Sequence, residues 1–125
     1  MTNQQRPLHT LVVGGSTNPQ RYSYKAIRLL TGYGHPVVSI GLREGEVAGV
    51  RIQKDRPRFE NIDTVTMYVG PGRQPELYDY ILGLQPRRII FNPGTENTEF
   101  EKLARVKGIQ TIHHCTLVML NQGLF

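Results

Sequence analysis

The sequence predicts an α/β fold: a doubly wound, five-stranded, mostly parallel sheet in the order 3-2-1-4-5, with helices on both faces. Three observations lead there. Five short runs of β-branched and apolar residues lack polar alternation, the pattern of strands buried on both faces. Segments of helical period stand between most of them, and repeated strand–helix–strand units imply right-handed crossovers and a parallel sheet. A glycine-rich turn follows the first run, where doubly wound sheets take their ligands.

The runs are His9–Val13, Pro36–Ile40, Thr64–Val69, Arg88–Phe91 and Gln110–His113. Between the first two, Tyr24–Gly32 places Ala26, Ile27, Leu29 and Leu30 on one helical face. A second helix opens at Pro75, a residue suited to a first turn, buries Leu77, Tyr80, Ile81 and Leu84, and is ended by Pro86. The third begins at Thr98-Glu-Phe-Glu101, which reads as a capping box; it buries Phe100, Leu103 and Ala104 and stops at Gly108. Thr116–Leu120, short and apolar, predicts a last helical turn or two. Gly41–Asp63 stands apart. Polar, with Gly41, Gly45, Gly49 and Pro57 and no clear helical period, it reads as a loop or a small hairpin.

At 125 residues the chain is expected to form one domain, 1–125, with a core of ordinary size. Its 38% hydrophobic and 20% charged shares fall in the globular range rather than the disordered one. No apolar run approaches the ~20 residues of a membrane span. The polar start, Met1–Pro7, lacks the apolar core of a signal peptide. The single cysteine, Cys115, leaves no internal disulfide and fits a reducing compartment, so a soluble, cytoplasmic protein is expected. The net charge of +5 favours an anionic ligand weakly. Its basic residues are scattered, the densest stretch, Arg51–Arg58, being broken by Asp55 and Pro57. That is neither the stripe nor the module of a nucleic-acid binder. The expected partner is a small molecule, with no nucleic acid and no membrane; a protein partner or a homo-oligomer stays open.

Chemistry is sought just after each strand. After the first comes Gly14-Gly15-Ser16-Thr-Asn18-Pro-Gln-Arg21, running into a helix at Tyr22-Ser23-Tyr24. Glycines let backbone approach a phosphate, and the helix start offers unpaired N–H groups and a positive dipole end. Ser16 and Asn18 add neutral donors and Arg21 a fork-shaped cation. The plainer reading is a turn in which Asn18-Pro19 starts a helix; the coincidence of glycines, hydroxyl and arginine favours phosphate. Gly-x-Gly-x-x-Gly is absent, since Ser16 and Pro19 stand where the second and third glycines belong. No P-loop lysine follows either. After the second strand, Gly41-Leu42-Arg43 replaces the acidic residue of NAD binders, so Arg43 points to a phosphorylated ribose, as in NADP or coenzyme A. Pairing of Arg43 with Glu44 or Glu46 explains it equally well. Val69-Gly70-Pro-Gly72 is a second place for backbone to meet ligand, or a plain turn. In Asn92-Pro93-Gly94-Thr-Glu-Asn97, Gly94 permits unusual backbone geometry, and Asn97 either caps the next helix or binds ligand.

His113-His114-Cys115 invites a metal reading that strand geometry resists. Side chains alternate along a strand, and His9 and His35 sit at the opposite edge of the sheet, so the three or four converging ligands of zinc cannot gather. Cys115 reads as an inert buried thiol or, from its place beyond a strand end, as a thiol with a role at the ligand. No catalytic set emerges: Asp63 and Asp79 fall on opposite sides of the third strand, and neither Gly-x-Ser-x-Gly nor an oriented Cys–His pair is present.

At Gly14-Gly-Ser-x-x-Pro-x-Arg21-x-Ser23, then Gly32-Tyr-Gly-His-Pro-Val-Val, the sequence resembles the small stand-alone CoA-binding domain proteins, relatives of the CoA-binding domain of the succinyl-CoA synthetase α subunit. The likeness continues through Gly49, Asp63-Thr-Val, Pro93-Gly94, Asn97, Gly108 and Cys115, nearly the whole chain. The resemblance implies a Rossmann-like sheet holding coenzyme A across the first loop, the end of the second strand and the turn after the third. Gly14, Gly15, Ser16 and Arg21 would face the phosphates, and Gly41 to Arg43 the adenosine end. Two segments depart from the family: Ile40-Gly41-Leu42 stands for the usual Val-Asn-Pro, and Tyr68-Val69-Gly70-Pro71 for the usual Phe-Arg. No phosphohistidine segment comes with the resemblance, so binding without catalysis is expected, as a carrier or regulatory module. The alternatives are an NADP- or other nucleotide-binding enzyme component and an adaptor working through the basic surface.

Overall fold

The computed structural model describes residues 6–125; of the polar start on which the signal-peptide reading rests, residues 1–5 lie outside the described residues. Seven strands form one sheet among them: β1 (Thr10–Val13), β2 (Val37–Ile40), β3 (Gly45–Val47), β4 (Val50–Gln53), β5 (Thr64–Met67), β6 (Arg88–Phe91) and β7 (Gln110–His113). Their order is β3-β4-β2-β1-β5-β6-β7. Every neighbouring pair is parallel except β3 with β4.

The doubly wound, mostly parallel class stands, but the five-stranded 3-2-1-4-5 arrangement does not. Gly41–Asp63 contains a hairpin whose two turn residues, Ala48 and Gly49, both have positive φ, 52° and 81°. Such a pair matches the right-handed twist of the flanking strands. The hairpin sends β4 back alongside β2, Ser39 opposite Ile52. β4 therefore holds the place expected for the Thr64 strand, and β5 crosses to the far side of β1, Val12 opposite Thr66.

Among the described residues four helices cover the sheet: α1 (Tyr22–Gly32), α2 (Tyr78–Gly83), α3 (Thr98–Val106) and α4 (Thr116–Asn121). On one face Ile27 and Leu30 of α1, with Met119 and Leu120 of α4, pack on Val12, Ile52 and Ile90. On the other, Ile81 of α2 and Phe100 of α3 pack on Leu11, Val65, Met67 and Phe91. The Pro75 start is a 3-10 turn, Pro75–Leu77, ahead of α2. The capping box at Thr98 is not formed. Asn97 is the cap instead, its Oδ1 accepting from Phe100 N at 3.0 Å, which puts Phe100 where the box needs an acid. Glu101 turns inward, buried, and pairs with Arg105 and with His113 of β7. No helix of the described residues is long and apolar enough to cross a membrane.

Candidate functional site

Strand order reverses between β1, whose connection leads to β2, and β5, which starts the other wing. Ligands of doubly wound sheets sit beyond the carboxyl ends of the strands at that switch. Here the loops after β1, β2 and β5 are locked together by close backbone packing. Gly14, at φ 94°, lies so near the turn after β5 that a Cβ would stand 2.9 Å from both Tyr68 O and Val69 Cγ2. A Cβ on Gly15 would overlap Ser39 Oγ, and one on Gly41 would stand 2.5 Å from Gly15 O. The N–H groups of Gly14 and Gly15 both donate to Ile40 O at 2.9 Å. These glycines thus have a packing reason to exist whether or not a ligand is bound.

The rest of the first loop is held by its own side chains. Ser16 Oγ accepts from Asn18 N, and Asn18 Oδ1 from Gln20 N, each at 3.0 Å. The loop delivers Arg21, extended, as the residue before α1. No side chain caps α1, its first turn has no acidic residue, and among the described residues the N–H groups of Tyr22, Ser23 and Tyr24 meet no acceptor. Orphan donors at a positive dipole end are an anion site. Ser23 is buried, whereas Tyr22 is exposed with the Lys25 ammonium 5.3 Å from its ring centre. Among the described residues the guanidiniums of Arg21, Arg43 and Arg73 make no hydrogen bond or ion pair, so Arg43 does not pair with Glu44 or Glu46. Leu42 beside it is exposed and Gly41 N continues the β2–β4 pairing through Gln53 O.

The loop after β6 is tied to the same edge. Buried Asn92 donates to Thr66 Oγ1 (2.7 Å) and Met67 O (2.8 Å), and its Oδ1 accepts from Thr116 N (2.8 Å). Pro93 and Gly94 are exposed, with Gly94 at φ 92°. Asn97 is placed differently. Besides capping α3, its Nδ2 donates to Gln74 Oε1 and Tyr78 OH, each at 2.9 Å, so its amide belongs to the scaffold beneath the turn after β5. Gln74, fully buried, was not legible as important; its Nε2 ties Val69 O to Thr95 O, both at 2.8 Å. Val69 is buried and Gly70 exposed.

Cys115 is half-buried at the start of α4, near enough to the Tyr68 hydroxyl to influence its ionisation. Its N–H donates to His114 Nδ1 at 2.8 Å, and His113 is bonded through Nε2 to Glu101. Both histidines thus have other partners than the sulfur. Tyr68 carries no sequence signal of its own; its hydroxyl is shut off from solvent beside Thr66 and Thr116 and makes no well-formed hydrogen bond among the described residues. Burial first, then the nearby Cys115, pushes its phenol well above the ordinary range, against a smaller opposing pull from the Thr66 and Thr116 hydroxyls. A second hollow, lined by Arg58, Asp79, Gln85, Lys107 and Gly108, lies at the opposite edge, where α2 and α3 end. Helix carboxyl ends present carbonyls and disfavour phosphate.

Residues 9–121 match the model of the CoA binding domain family. The chain belongs to that family. This CoA-binding domain is 44% identical to an uncharacterized protein of known crystal structure, with a TM-score of 0.94 over 97% of this chain and all of the other. A Thermus thermophilus protein, 20% identical, shares the fold with a TM-score of 0.83 over 95% of this chain and 91% of its own. A hypothetical protein from Pyrococcus horikoshii is 21% identical, with a TM-score of 0.82 over 92% and 82%. No curated protein matches.

Proposed function

We propose that this CoA-binding domain holds coenzyme A, or an acyl-CoA, across the carboxyl edge of its sheet and acts as a non-catalytic binding, carrier or regulatory module. One observation carries the reading: an uncapped helix start at the β1–β5 switch point, flanked by arginines with no carboxylate partner among the described residues. The diphosphate lies against Tyr22–Tyr24 N–H groups and Arg21, and the ribose phosphate at Arg43 after β2. Gly14, Gly15 and Gly41 shape the floor by letting three loops close on one another. The binding-only role is supported by His113 and His114 being bonded elsewhere, which leaves Cys115 without an activating imidazole. With one cysteine and no disulfide, the protein suits the reducing cytoplasm.

Mass spectrometry of the ligand retained on purification, followed by calorimetry with coenzyme A, its dephospho form and NADP, tests the reading. Coenzyme A bound in preference to NADP supports it. Equal or tighter NADP binding overturns it in favour of a nicotinamide nucleotide site.

A further inference from the structure

Tyr68 is the first residue beyond β5. Its N–H extends the pairing with β1 by donating to Val13 O at 2.8 Å, and its carbonyl is the atom against which Gly14 packs. The residue therefore stands at the switch point itself. The residue is half-buried, and its hydroxyl is closed off. Around that hydroxyl the polar groups are committed to one another. Thr66 Oγ1 and Thr116 Oγ1 are 2.8 Å apart, and Asn92 binds Thr66 Oγ1, Met67 O and Thr116 N. Thr66 and Thr116 lie within reach of the phenol but are bonded to each other, so its O–H has no well-formed partner, which is rare in a native fold and calls for an explanation.

We propose that Tyr68 is the hydrogen-bond donor for the pantetheine arm of the bound coenzyme, its phenol meeting a carbonyl oxygen of the arm. The inference rests on the coenzyme A reading above. It follows from position and chemistry together. The anionic half of the ligand is drawn to the α1 start and the arginines, and the remaining half is a neutral chain of amides whose carbonyls need donors. Tyr68 lies between the α1 loop, through Gly14, and the start of α4, through Cys115. To meet the arm, the half-buried side chain must turn so that its hydroxyl reaches the crevice. Burial keeps the phenol protonated, and so a donor, throughout the neutral range.

Tyr68→Phe keeps the ring and removes the hydroxyl. Calorimetry compares wild type and Y68F with coenzyme A and with adenosine 3′,5′-bisphosphate, which lacks the arm, and urea unfolding compares the ligand-free proteins. The expected result is about tenfold weaker coenzyme A binding (1.4 kcal/mol), unchanged bisphosphate binding, and a ligand-free stability equal to or above wild type. Equal loss for both ligands, or none for either, overturns the inference and leaves the coenzyme A reading standing. Lower ligand-free stability overturns it too, since the hydroxyl then has a partner within the fold. Wild type that binds the bisphosphate but not coenzyme A overturns both.

Discussion

Gly15→Ala should destabilise the protein, and Ser39→Ala should rescue it. No positive φ is required at Gly15, so alanine is permitted by the backbone and the cost is one of space. The new methyl would overlap Ser39 Oγ, which donates to Val12 O at 2.9 Å. Forcing a methyl into a packed interior costs about 1–3 kcal/mol. Taking about 2 kcal/mol, and a urea slope of roughly 2 kcal/mol/M, the unfolding midpoint should fall by about 1 M. Ser39→Ala alone removes one hydrogen bond, about 1 kcal/mol. In the double variant the nearest atoms to the methyl are Ile52 Cγ1 at 3.3 Å and the residue 39 Cβ at 3.4 Å, contacts that a few tenths of an ångström relieve. The double variant should then be about as stable as Ser39→Ala, a coupling of about 2 kcal/mol. Additive losses, about 3 kcal/mol in the double variant, would refute the view that Gly15 exists for strand packing. Gly41→Ala has no such rescue, because the methyl meets the carbonyl of Gly15.

Arg21→Ala should weaken coenzyme A binding tenfold or more, a charge-assisted contact being worth ~1.5–3 kcal/mol. Arg43→Ala should weaken coenzyme A but spare its dephospho form; an equal loss for both in calorimetry would show that Arg43 does not read the ribose phosphate. Asn97→Asp keeps a good helix cap but loses the donor to Gln74 and Tyr78, so its urea midpoint should fall despite the cap; an unchanged midpoint would place those bonds outside the scaffold. His35 is held below its ordinary value of 6.5 by burial and then by Arg88, and its Nδ1 accepts from Leu8 N. The unfolded chain takes up the proton first, so this stability is present above pH 6.5 and drains away as pH falls below it. His35→Asn, which retains an acceptor but cannot titrate, should flatten that limb of a stability–pH curve; an unchanged slope would assign the loss elsewhere.

Most of the framework was legible because β1, β5 and β6 are buried along their whole length and so carry runs of apolar and β-branched residues. β4 obeys a different rule. Buried Val50 and Ile52 alternate with exposed Arg51 and half-buried Gln53, the period-two signature of a strand less deeply set in the sheet. Among glycines and charges, four residues of alternation were too few to stand out, and missing them misplaced β5. Gly41–Asp63 was legible as a loop or small hairpin, but its turn at Ala48-Gly49 was not, since alanine seldom accepts positive φ. At the site, the first loop was legible from its residue types, whereas the reason for its glycines was not: Ser39 of β2, and Gly41 and Tyr68 just beyond β2 and β5, meet it only in three dimensions. Asn97 was readable either as cap or as ligand contact, and its three bonds place the amide in the scaffold. Gln74 and Tyr68 had no sequence signal, because nothing local marks a buried amide or phenol.

The central place of β1 has a consequence for the order in which the molecule is made. One partner, β2, follows after a single helix, while the other, β5, arrives only after the helix, the hairpin and a long connection. As the chain leaves the ribosome, β1 to β4 can assemble as half a sheet whose open side is β1 itself, with Leu11 and Val13 still awaiting the α2–α3 layer. Such an edge offers unpaired backbone and apolar surface to any neighbouring strand. Closing it is the longest-range pairing β1 makes, so it is the step that should set the folding rate. A nascent or truncated chain that stops before Thr64 is therefore the form of this protein most prone to aggregate.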